Sequence, residues 1–117
     1  MPSILGTVVL IDLRIPTENI ILPGPVFTSR SDFSIPQLTM EVGQVVAGRR
    51  ASYAVLDSTY DGQFFFIDRV SGYLAFNVLP YIDTPYDENQ DNVYNIVVRA
   101  TLNGQEATQE ITVTVTK

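Results

Sequence analysis

Two runs of strict alternation in the last quarter of the chain constrain the fold more than any other feature. Tyr94, Ile96, Val98 and Ala100 alternate with Asn95, Val97, Arg99 and Thr101, and Ile111, Val113 and Val115 alternate with Thr112, Thr114 and Thr116. Successive side chains on a strand point to opposite faces, so each run has an apolar face to bury and a second, wetter one. Threonine suits the wetter face because its β-branched side chain fits the pleat. Between the runs lie Leu102, Asn103, Gly104 and Gln105. Asn-Gly accepts the positive φ angles of a tight turn, so the two strands are expected to pair antiparallel.

The rest of the chain reads the same way, with strands almost everywhere and no amphipathic helix. Phe64–Asp68 and Tyr73–Phe76 form a second expected hairpin around Arg69, Val70, Ser71 and Gly72, with Gly72 suited to a left-handed position. Further short strands are expected at Val26–Ser29, Phe33–Ile35, Gln44–Val46 and Ser52–Leu56. Pro16, Pro23, Pro25, Pro36, Pro80 and Pro85 fall at strand starts, edges or loops, where a missing N–H costs least. Short strands at this spacing predict an all-β fold, a sandwich of two sheets.

Composition narrows the function. A chain of 117 residues makes one domain. It carries 7 basic and 13 acidic residues for a net charge of -6, which excludes a general nucleic-acid binder. There is no Cys, hence no disulfide, thiolate ligand or thiol nucleophile, and no His, the commonest acid-base catalyst. The expectation is a protein that is not an enzyme and needs no cofactor. The apolar N-terminal run, Ile4 to Ile11, meets Asp12 and Arg14 too soon to span a bilayer, so no membrane partner is expected. It also lacks a basic n-region; with Met1 as the natural start, the chain is expected to stay in the cytosol or leave it by lysis.

Phe65, Phe66, Ile67, Asp68, Arg69, Val70, Ser71, Gly72, Tyr73, Leu74, Ala75 and Phe76 resemble the F-x-I-D-x-x-[ST]-G-x-L-x-F signature of cadherin-like domains. Pro80, Asp83, Pro85, Asp87, Asp91, Asn92 and Tyr94, followed by an alternating strand, resemble the bacterial run that ends in D-N-x-Y. The resemblance covers residues 25–117. It implies a Greek-key, Ig-like/cadherin-like β-sandwich that binds protein partners, in a family where many members hold calcium between successive modules. The implied metal ligands are altered here. Gln37 stands at the first-strand glutamate, Asp83 at the glutamate of P-x-x-E, and Thr101 and Leu102 where an aspartate follows the strand. Calcium takes six to eight oxygens, several of them anionic, so the inherited site looks dismantled.

Asp83, Asp87, Glu88 and Asp91 nevertheless share one loop. They read as a solvated loop blunting a sheet end, or as a weak calcium site with Asp83, Asp87 and Asp91 as the metal candidates. The spacing is not that of an EF-hand, and neighbouring carboxylates on a turn make no glycosidase cleft. Three adjacent rings, Phe64, Phe65 and Phe66, are either buried on both sides of a strand or leave one ring for a partner. Arg49 and Arg50 read as a solvated turn rather than an anion site, and Tyr60, Tyr81 and Tyr86 fit an adhesive loop tip, while Tyr94 reads as core.

Residues 1–24 precede the resemblance and read as a separate N-terminal arm. A strand-like stretch runs from Thr7 to Leu13, and Ile20, Ile21 and Leu22 end at Pro23, Gly24 and Pro25. The arm is either an extra strand of the same sandwich or a segment that pairs with a neighbour's sheet edge, with Val8, Val9, Leu10, Ile11, Ile20, Ile21 and Leu22 as interface residues. The expected function is structural: decoration (cement) of a phage capsid or similar virion assembly, with a capsid or other assembly subunit, and the chain itself, as partners. The alternative is a calcium-dependent adhesion module from a longer secreted protein, and an extracellular location.

Overall fold

A computed structural model describes residues 22–117. Seven strands follow in order: β1 (Asp32–Pro36), β2 (Glu41–Gln44), β3 (Ser52–Val55), β4 (Phe65–Ile67), β5 (Tyr73–Phe76), β6 (Val93–Leu102) and β7 (Gln105–Thr116). A 3-10 turn, Gly62–Phe64, leads into β4. The strands form two sheets, ordered β1-β7-β6-β3 and β2-β5-β4. β1 lies parallel to β7 and every other pair is antiparallel. This is the expected all-β sandwich. No helix among the described residues is long and apolar enough to cross a membrane.

The β6–β7 hairpin is the spine of the larger sheet, with Leu102 paired to Gln105 and Tyr94 to Val113. Asn103 and Gly104 take φ of 53° and 76°, the two positive angles of a type I′ turn. The alternation decides which face is inside: Tyr94, Ile96, Val98, Ala100, Ile111, Val113 and Val115 are all buried. Leu74 and Phe76 of β5 and Phe65 of β4 meet them from the other sheet. Tyr94 stands edge-on to Phe65 and Phe76, with centroids 5.7 and 5.0 Å away. Such edge-to-face contacts add to the burial of the rings themselves.

The second hairpin also forms where expected. Asp68 Oδ2 accepts from the Ser71 and Val70 N–H groups, at 2.7 and 3.2 Å, which closes the turn. Gly72 takes φ 78°, and a side chain there would run into the Val45 carbonyl.

Three expected strands are redrawn. Residues 26–29 form no regular strand: the Val26 and Thr28 N–H groups donate to Ala47 O and Val46 O, and the Val46 N–H donates to Ser29 Oγ. A side-chain oxygen thus takes a ladder position, and Pro25 just before has no N–H to give. β2 ends at Gln44, after an irregularity between Glu41 and Gly43. Phe64 belongs to the 3-10 turn, so β4 is only three residues long. Of the adjacent rings Phe65 is buried, Phe64 packs against Tyr86 at 5.6 Å, and Phe66 points outward at 53% exposure. The strand is therefore not buried on both sides. The strand-like stretch Thr7–Leu13 and residues Ile20 and Ile21 lie outside the described residues.

Candidate functional site

The two ends of the sandwich carry different chemistry, and β6 connects them. Residues 77–92 cover the end where β6 starts. Asp87 sits at the centre of this loop, only 2% exposed. Its Oδ2 accepts from the Asp91 N–H at 2.8 Å and its Oδ1 from the Asn92 N–H at 3.2 Å. Burial pushes the Asp87 carboxyl up, and these N–H donors oppose it. Asp91, itself exposed, accepts from the Val93 N–H at 2.9 Å, which lowers its pKa. The Tyr94 hydroxyl accepts from the Tyr86 N–H at 2.9 Å, and burial raises its pKa. The loop is thus built around buried acceptors, with its own backbone as the donor.

A second buried carboxylate, Asp61, reaches the same end from the β3–β4 connection and is 6% exposed. Its Oδ2 accepts from the Asn95 N–H at 2.9 Å and its Oδ1 from the Glu88 N–H at 3.3 Å. Sequence reasoning missed it. Asp61–Gly62 reads as an ordinary turn, and no local pattern reveals donors 34 and 27 residues away.

The metal candidates separate. Asp83 is exposed, Asp87 is buried with both oxygens bonded to backbone N–H groups, and Asp91 is exposed. Reading the whole cluster as solvated is therefore corrected at Asp87, which its neighbours' N–H groups hold inside. Calcium is the ion that the resemblance implies. Gln37, at the altered glutamate position, uses its Oε1 to accept from the Ile82 N–H at 3.1 Å. Asn92 Oδ1 is the one buried side-chain acceptor of the loop without a partner among the described residues. No three acidic groups converge among those residues. Without such convergence the loop does not gather the six to eight oxygens that calcium takes, so the groups as placed do not fit the ion.

The opposite end holds the β6–β7 turn, the β2–β3 connection and the incoming residues 22–28. The Asn103 and Gln105 side-chain amides donate to Pro23 O and Leu22 O, both at 2.7 Å. Beside this anchor lies an open cleft of about 460 Å³, lined by Pro23, Gly24, Val26, Thr28, Ala47, Gly48, Arg49, Arg50, Leu102 and Asn103. Arg49 and Arg50 are exposed at its rim, on a tight turn where Gly48 and Arg50 both have positive φ. Of the interface candidates only Leu22 is described, and it is exposed; Val8, Val9, Leu10, Ile11, Ile20 and Ile21 lie outside the described residues.

No protein-family profile and no curated protein sequence matches the chain. Solved structures do. A four-domain fragment of Drosophila N-cadherin (EC1-4) superposes with a TM-score of 0.64 and 22% identity, over 80% of this chain and 25% of that one. Human protocadherin-24 EC1-2 gives 0.62 and 13% identity, over 81% and 44%. Drosophila N-cadherin EC1-3 gives 0.61 and 22%, over 92% and 36%. The chain thus spans less than half the length of each of these structures. The sandwich has the cadherin-like fold.

Proposed function

We propose that this domain is a non-enzymatic interaction module that decorates a larger protein assembly, a phage capsid or a similar virion shell. The observation that carries this reading is the construction of the 77–92 loop. In a cadherin-like sandwich its buried carboxylate, Asp87, is spent on backbone N–H groups, which suits a module that holds its shape without metal. Absence of Cys and His supports a role in contact rather than catalysis. In this reading residues 1–24 are the arm, and Val8–Ile11 and Ile20–Leu22 bury their apolar side chains on a neighbouring subunit, since such stretches are a liability in water. A modest contact repeated around a symmetric shell gains by multivalency what each copy lacks.

The test is where the chain is found and at what mass. Quantitative mass spectrometry of purified native particles should recover it at a fixed ratio to the shell subunit. Recovery in the secreted fraction, inside a longer polypeptide that binds calcium, would replace this reading with the adhesion module.

A further inference from the structure

Carboxylates crowd one end of β6, whereas two arginines rim the cleft at the other, with Glu106 paired to Thr101 nearby. Asp57, Asp61, Asp83, Asp87, Glu88 and Asp91 lie at or beside the end where β6 starts. Lys117, just past β7, is the one cation near them among the described residues. Arg49 and Arg50 rim the cleft at the other end, where Leu102 closes β6. Ten residues of strand separate these ends, about 30 Å. The one ion pair among the described residues, Arg30 with Asp32 at 3.9 Å, belongs to neither.

The apolar chemistry of the two ends matches as the charges do. Leu79, Tyr81 and Tyr86 are exposed large side chains on the acidic tip, next to the exposed carboxylates of Asp83 and Glu88. The cleft offers Pro23, Val26, Ala47 and Leu102 as apolar walls alongside Arg49 and Arg50. Tyrosine and arginine are the residues that protein interfaces favour, and opposite potentials align the partners before they touch.

We infer that the acidic, tyrosine-bearing tip of one copy docks into the arginine-rimmed cleft of a second copy, head to tail. Tyr81 and Tyr86 cover the apolar walls, and Asp83 and Glu88 face Arg49 and Arg50. Tip and cleft are different surfaces, so the contact is heterologous and can repeat, closing into a ring or running on as a row. The inference requires only that the domain acts by protein contact. Its failure leaves recovery of the chain from native particles untouched.

Charge exchange on the full chain tests it. Sedimentation velocity from about 10 μM to about 1 mM should show self-association at low salt that weakens strongly at about 0.5 M salt. Arg49→Glu/Arg50→Glu gives two acidic ends, and Asp83→Lys/Glu88→Lys gives two basic ends. All four side chains are exposed, and circular dichroism checks that both variants keep the wild-type fold. Each alone should associate at least tenfold more weakly than wild type, whereas an equimolar mixture of the two should regain association. A monomeric wild type across this range overturns the inference, whether the chain's own residues 1–21 or nothing fills the cleft. So does a mixture that behaves as the sum of its parts.

Discussion

Asp61 and Asn95 clasp each other twice: the Asp61 N–H donates to Asn95 O at 3.0 Å, and the Asn95 N–H donates to Asp61 Oδ2 at 2.9 Å. The carboxylate thus joins the β3–β4 connection to the start of β6 in the manner of a strand pair. Its second oxygen takes the Glu88 N–H, which adds the acidic loop to the same joint. Replacing it by Asn keeps one acceptor but turns an NH₂ group toward a backbone donor. Asp61→Asn should therefore cost about 1–3 kcal/mol in urea unfolding. A loss under about 0.5 kcal/mol, typical of a surface change, contradicts this account.

Asp87 makes the same argument within one loop. Asp87→Asn should be destabilising by a similar amount, about 1–3 kcal/mol, and not neutral as a solvated charge would be. Thermal unfolding of the wild type with calcium and with chelator should superimpose. An ion at a hundredfold excess over its dissociation constant would add roughly 2.7 kcal/mol, a shift of several degrees that is easily seen.

The two faces of β7 should respond in opposite ways to one substitution. Val113→Asp places an unpaired charge at a fully buried position and should abolish folding or cost at least about 3 kcal/mol. Thr108→Asp, at an exposed position opposite Arg99, should stay within about 0.5 kcal/mol of the parent. Comparable losses at both sites would mean that the inside and outside of the sandwich are wrongly assigned.

Acid should weaken the turn between β4 and β5. The Ser71 N–H bonded to Asp68 lowers its folded pKa below the ordinary carboxylate value. The unfolded state then binds the proton more readily, so this contribution is present above the unfolded pKa and disappears as pH falls through the lowered folded value. Stability measured from about pH 6 down to about pH 2 should drop less steeply for Asp68→Asn than for the parent. Parallel acid limbs would remove Asp68 from the account.

Deleting Met1–Ile21 should leave the sandwich folded, because residues 22–117 already supply both sheets and the anchors of Leu22 and Pro23 on the β6–β7 turn. Circular dichroism and a cooperative melt check this. An unfolded product would make the arm an intrinsic part of the core. In the decoration reading the truncated chain also loses its place on the particle.

Local rules were enough for the parts of the molecule that are local. Strict alternation named the inward face of β6 and β7, though Val97 on the other face of β6 is buried as well, and Asn103–Gly104 and Gly72 marked turns whose positive φ follows from their own chemistry. The cadherin-like signature was legible because Phe65, Asp68, Gly72, Leu74 and Phe76 all serve one hairpin. Tertiary structure alone decided the parallel pairing of β1 with β7, since nothing in either segment states its partner. It also decided that residues 26–29 would lie along the β2–β3 connection, where Ser29 Oγ supplies an acceptor. Asp61 and Asp87 look alike in sequence to the exposed Asp57 and Asp83. What separates them is whether backbone N–H groups converge on the carboxylate, and in a folded chain those donors come from wherever the sheets bring them.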